Sequence, residues 1–71
     1  MELTIYIYNV QGVEARNLAN EIEAIMGVHV IEIWDIEPYN TEMLIESYSY
    51  SDGEDVEAWL QSEGYQAVFD R

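Results

Sequence analysis

The sequence predicts an α+β fold of the ferredoxin-like kind, β-α-β-β-α-β, with a four-stranded antiparallel sheet and both helices on one of its faces. Three observations carry that expectation. Apolar residues alternate near the start of the chain, two later stretches place apolar residues at spacings of three and four, and a turn sequence at 37–40 separates two runs rich in β-branched and aromatic residues. Residues 1–71 make one acidic domain, with no repeat, low-complexity segment or linker. A chain of this length buries only about 60% of the surface its unfolded form exposes, so a deep catalytic cleft is not expected.

The first strand is read over residues 3–10, where Leu3, Ile5 and Ile7 alternate with Thr4, Tyr6 and Tyr8; a period of two is the pattern of a half-buried strand. Gln11-Gly12 breaks it. Ala15, Leu18, Ala19, Ile22, Ile25 and Met26 then form one apolar stripe on a helix from about 13 to 26, which Gly27 ends as a C-terminal cap. Residues 28–36 and 41–50 read as two strands of a hairpin around Glu37-Pro38-Tyr39-Asn40, with paired residue numbers summing to about 78. On that register Ile31, Ile33, Met43 and Ile45 share one face with Ser47 and Ser49. Val30, Glu32, Trp34, Ile36, Leu44, Glu46, Tyr48 and Tyr50 share the other. A slip of one residue would exchange the two faces.

Ser51-Asp52-Gly53-Glu54 fits a capping box, with Ser51 as N-cap and Glu54 reaching back, and its acids suit the positive end of the helix dipole. The helix that follows is expected to bury Val56, Trp59 and Leu60. Gly64 closes it, and residues 65–69 supply a short last strand at an edge of the sheet.

Fifteen Asp or Glu stand against Arg16, Arg71 and no lysine, a formal charge of −13. Such a charge would suit a disordered chain, but 49% hydrophobic residues, nine of them aromatic when Tyr, Trp and Phe are taken together, call for a packed core. Phosphate-binding surfaces replace counterions with Lys and Arg, so the composition argues most strongly against direct binding to DNA, RNA or an anionic membrane. The chain has no cysteine, which removes disulfides, thiolate metal sites and cysteine nucleophiles. Its start, Met1-Glu2-Leu3-Thr4, lacks the basic and apolar regions of a signal peptide, and the expected location is the cytoplasm.

No pattern of catalytic residues emerges, and the reading is of a protein that is not an enzyme and holds no metal or cofactor. His29 is the only imidazole and has no Cys or second His to complete a metal site; a strand-end histidine near solvent accounts for it. Asp52-Gly53-Glu54-Asp55 with Glu57 lacks the ligand spacing of a calcium loop, and a helix start explains it better. Glu32 and Glu46 are expected as cross-strand neighbours. An open sheet gives such a pair no cleft for acid–base chemistry, and like charges placed opposite each other cost roughly 0.2–1 kcal/mol.

With both helices on one face, the other is expected to display Tyr6, Tyr8, Val30, Trp34, Ile36, Leu44, Tyr48 and Tyr50 among Glu32, Glu42 and Glu46. Exposed apolar patches of this kind mark interfaces, and Tyr and Trp carry much of the binding energy there. Aromatics on such a sheet resemble the RNA-recognition motif, but that family sets Lys or Arg beside them, and here the strands have neither.

A charge of −13 exceeds the magnitude of about 2–8 that solubility asks of a small domain, and it strains the compact state by self-repulsion. A basic partner accounts for the excess, because the negative field speeds association and the carboxylates meet Arg and Lys across the interface. In size, charge, absence of lysine and absence of a catalytic constellation the chain resembles the small acidic inhibitors that phages and other mobile elements encode against host nucleic-acid-handling machinery, including DNA mimics and anti-CRISPR proteins. That resemblance implies stoichiometric inhibition of a basic nucleic-acid-binding protein or complex, in the cytoplasm of a bacterial host, without turnover. The contacts expected on this reading are the carboxylates Glu32, Asp35, Glu37, Glu42 and Glu46, with Tyr6, Tyr8, Trp34, Tyr48 and Tyr50 as anchors. Glu14, Glu21 and Glu23 of the first helix and Asp52, Glu54, Asp55 and Glu57 of the second would extend the negative surface or simply form solvated faces. Two other readings compete: a regulatory or ligand-binding module that forms a homodimer through its sheet, and an antitoxin that neutralises a basic toxin.

Overall fold

In the computed structural model, which describes residues 1–71, Leu3, Ile5 and Ile7 of β1 (Glu2–Ile7) are buried and Tyr6 lies on the opposite side. Helix α1 (Gly12–Met26), strands β2 (His29–Ile36) and β3 (Asn40–Glu46), helix α2 (Ser51–Ser62) and strand β4 (Ala67–Asp70) follow. The four strands form one antiparallel sheet in the order β2-β3-β1-β4, so the fold is ferredoxin-like α+β. Both edges are occupied as the connections require, with β4 at one and β2 at the other.

The core fills the space between the sheet and its two helices. Ile5, Ile7, Met43, Ile45, Ala67 and Phe69 come from the strands, Ala15, Leu18, Ala19 and Ile22 from α1, and Val56 and Leu60 from α2. Gly27 ends α1 at φ 70°, a left-handed conformation that costs a residue without a Cβ nothing, and its N–H bonds the Glu23 carbonyl at 3.1 Å. Gly53 is required for another reason. A Cβ built there would lie 2.5 Å from the Phe69 ring, so the bare backbone of α2 is what lets β4 pack against it.

Several elements depart from the sequence expectation, each for a local reason. β1 stops at Ile7 because Asn9 turns to φ 62°. Asn40, expected in the turn, joins β3 because its side-chain oxygen accepts the Asn9 N–H at 3.0 Å. The hairpin turn is therefore one residue shorter, and the paired numbers sum to 76, as in Trp34↔Glu42 and Glu32↔Leu44, instead of 78. An even shift leaves the two faces of most residues unchanged. Glu32 and Glu46 are no longer opposite each other; Glu46 pairs with His29 on one side and Glu2 on the other. A bulge between Val30 and Glu32 inserts an extra residue, which turns Val30 to the core side opposite Ile45 instead of the outer face.

Past Glu46 the chain leaves the sheet, because serine hydroxyls offer the backbone a local alternative to the ladder. The Ser47 hydroxyl donates to the Ser49 carbonyl at 2.9 Å and accepts the Ser49 N–H at 3.3 Å. Tyr48 and Tyr50, expected on the third strand, lie outside it. The capping box also fails: α2 begins at Ser51 after Tyr50, and the hydroxyl of Ser49 accepts the Ser51 N–H at 3.1 Å. In α1, Ile25 sits beyond the stripe that reaches the sheet and is exposed, and Trp59 of α2 is only partly covered at the core margin. The last strand begins two residues later than expected and ends at Asp70.

Candidate functional site

The helices cover one face of the sheet and leave the other bare, so the outward side chains of all four strands form one continuous surface. The registers set them in rows. Trp34, Glu42, Tyr6 and Val68 lie side by side across β2, β3, β1 and β4, and Glu32, Leu44, Thr4 and Asp70 form the next row. Ile36 and Asn40 lie beyond the first row, with Tyr8 just past the end of β1, and Glu46 and Glu2 lie beyond the second. Neighbouring strands are about 4.8 Å apart and alternate residues of a strand about 7 Å apart.

This arrangement divides the surface. Its half nearest the β2–β3 turn is aromatic and aliphatic, with Trp34, Ile36, Tyr6, Tyr8 and Val68 around the carboxylate of Glu42; Trp34, Ile36, Tyr8 and Val68 are all exposed. The other half is acidic, with Glu2, Glu32, Glu46 and Asp70 around Thr4 and Leu44. None of the four strands contains Lys or Arg. The Tyr6 hydroxyl is pushed above its ordinary pKa, first by the negative charge of Glu42, then by burial and by Asp70, so it remains a neutral donor beside those carboxylates.

Six of the ten expected contact residues therefore come together here: Glu32, Glu42, Glu46, Tyr6, Tyr8 and Trp34. Asp35 alternates with Trp34 and turns to the helix side, where it lines a groove of about 480 Å³ between β2 and α1 together with Gly12, Arg16 and Val30 to Trp34. Glu37 lies exposed in the hairpin turn. Tyr48 projects fully into solvent from the loop after β3, beside a smaller hollow of about 190 Å³ lined by Gly27, His29, Glu46 and Ser47. Tyr50 lies away from this face: its ring, still exposed to solvent, packs on Phe69 with centroids 4.9 Å apart. Sequence reading missed Glu2, Val68 and Asp70. Glu2 was legible from its alternation with Leu3, but Asp70 lay beyond the expected end of the last strand.

The few cations lie off this face or at its acidic end. Arg71 binds Glu57 at 3.0 Å and lies 3.7 Å from Glu54, with its guanidinium 5.0 Å over the Phe69 ring. Arg71 first, and the Phe69 N–H second, hold the Glu57 carboxyl below its ordinary range. The N-terminal ammonium donates to the Ser47 carbonyl at 2.6 Å and lies 3.7 Å from Glu46. At the free edge of β2, the Glu23 carboxylate accepts the Val30 N–H and meets the His29 ring, both at 2.9 Å; the first of these contributes most to holding its pKa down. Gln11 donates to the Ile36 carbonyl at the other end of that edge. Together with the bulge these side chains blunt an edge that would otherwise pair with another strand. Arg16 forms no ion pair.

No three His, Asp or Glu side chains converge as a metal site, and no helix is long and apolar enough to cross a membrane. No protein-family model and no curated protein matches the chain.

Proposed function

We propose that this protein is a stoichiometric inhibitor that binds a basic nucleic-acid-binding protein or complex through the bare face of its sheet. The observation that carries the reading is the division of that face into an aromatic half and an acidic half with no Lys or Arg in any strand. The acidic half attracts the Lys and Arg that line nucleic-acid grooves, and the aromatic half supplies buried area and hot-spot residues. Nucleic acid is displaced because the carboxylates occupy the cations that would otherwise hold phosphates.

Self-association through the same face fits less well. Two copies stacked sheet to sheet with like halves facing would bring Glu2, Glu32, Glu46 and Asp70 of one against the same four of the other, and like charges across an interface oppose binding. The proposed setting is the cytoplasm of a bacterial host, and the proposed origin is the phage-type anti-defence class of DNA mimics and anti-CRISPR proteins.

The test is capture from bacterial lysate with the tagged protein as bait, eluted in steps of rising salt and identified by mass spectrometry. Recovery of a basic nucleic-acid-binding protein that salt releases, and that DNA or RNA displaces, is the expected outcome. Recovery of the chain alone as a salt-insensitive dimer overturns it. Salt also separates the two roles of the charge: it should raise the protein's own thermal stability by screening self-repulsion while it lowers affinity for the partner.

A further inference from the structure

Among the carboxylates of the bare face, Glu42 is distinct. It sits on β3, an interior strand, and is half-buried, with Trp34 and Tyr6 directly opposite it on the two neighbouring strands. It has no cationic partner, whereas Glu46 has the N-terminal ammonium and Glu54 and Glu57 have Arg71. A partly buried charge without a partner is a cost to the folded chain, relieved when a cation arrives. Tyr6 does not compete for that cation, since it stays neutral and presents a ring. The four acids of the other half lie among Thr4, Leu44 and His29, with no Trp, Tyr or Phe ring directly beside them in their rows.

A carboxylate flanked by aromatic rings discriminates between cations. A guanidinium is flat and weakly hydrated, so its face stacks on a ring while its edge donates two hydrogen bonds to the carboxylate. An ammonium is compact, strongly hydrated and indifferent to ring orientation. The chain already uses the first arrangement once. Arg71 lies 5.0 Å over the Phe69 ring and binds Glu57 at 3.0 Å, an arginine held by one ring and one carboxylate. At Glu42 the carboxylate and two rings are present, and the arginine is not supplied by this chain.

We propose that Glu42, with Trp34 and Tyr6 beside it, receives one arginine side chain of the basic partner. The inference rests on the reading of the bare face as the binding surface and adds to it a position and a residue type. The acids of the other half then act through the field, steering the partner without distinguishing Arg from Lys.

The experiment titrates isotopically labelled protein with acetyl-arginine amide and, in parallel, with acetyl-lysine amide at constant ionic strength, following the Trp34 indole, the Tyr6 ring and the side-chain carboxyls by NMR. Saturable shifts confined to Trp34, Tyr6 and Glu42 are expected, with arginine binding at least about threefold tighter than lysine. Glu42→Gln, which keeps size and shape, should weaken the arginine site about tenfold, whereas the equally charge-reducing Glu63→Gln on the helix side should not. Equal shifts for both probes, spread over Glu2, Glu32 and Glu46, would overturn the proposal. Repeating the lysate capture with the Glu42→Gln protein separates the two ideas. A basic partner held with an unchanged salt profile leaves the broader function standing and removes the arginine site; an arginine-selective site with no basic partner captured does the reverse.

Discussion

The two faces of this sheet are made from alternate residues of the same four strands and obey opposite rules. On the helix side Leu3, Ile5, Ile7, Met43, Ile45, Ala67 and Phe69 are buried, and the one buried polar strand residue there, Thr41, spends its hydroxyl on the Val10 carbonyl at 2.6 Å. On the bare side Tyr6, Trp34 and Val68 lie beside Glu42, and Glu2, Glu32, Glu46 and Asp70 remain in solvent. Carboxylates at such density on an exposed sheet repel one another, and rings left in solvent contribute less to folding than buried ones. The difference teaches that stability in this chain is concentrated on one face, which leaves the other free to be chosen for binding.

The largest effect should come from the helix side. Phe69 holds β4 to α2 through Gly53, Tyr50 and Arg71, and Phe69→Ala is expected to cost about 3–5 kcal/mol, enough to unfold most of a domain this small. Denaturant titration measures it; a loss below 1 kcal/mol would break the division between the faces. Next in size, Trp34→Ala should weaken partner binding by about 2 kcal/mol while shifting stability by no more than about 0.5 kcal/mol. Should that variant unfold instead, the ring belongs to the folding side of the comparison.

A smaller effect sharpens the same contrast. Thr41→Val keeps the shape of a buried residue but leaves the Val10 carbonyl unpaired, a loss of about 1 kcal/mol that chemical denaturation can resolve. The smallest concerns acid. The carboxyls of Glu23 and Glu57 have folded pKa values lowered from the ordinary 4.5, so the stability they supply is complete above that value and is lost as pH falls below it. Most other acids have no cationic partner. The stability gap between the natural protein and Glu57→Gln should accordingly be widest near neutral pH and close under acid, as thermal melts across pH would show. A gap constant down to pH 3 would mean that the Arg71 contact contributes nothing through charge.

Much of this was legible in the chain. Alternation in β1, the stripe of α1 and the cap at Gly27 depend on neighbours a few residues away, and all three stand. Errors gathered where a distant group decided. Asn40 became strand because Asn9, thirty-one residues earlier, needed an acceptor. Tyr50 looked like a strand residue by period, but serine hydroxyls bent the chain and Phe69 offered its ring a place. Asp35 left the expected contact set through alternation alone, since Trp34 and Asp35 cannot share a face.

The sequence by itself determined the class of fold, the apolar side of each main element, the absence of Lys and Arg from the strands and the size of the negative charge, because period and composition are properties of local stretches. Only the tertiary structure decided that the aromatics gather at one end of the bare face and the acids at the other, and that Glu42 stands between Trp34 and Tyr6. Cross-strand neighbours depend on register, and register here was set by a turn one residue shorter than its composition suggests and by a bulge at the edge of the sheet.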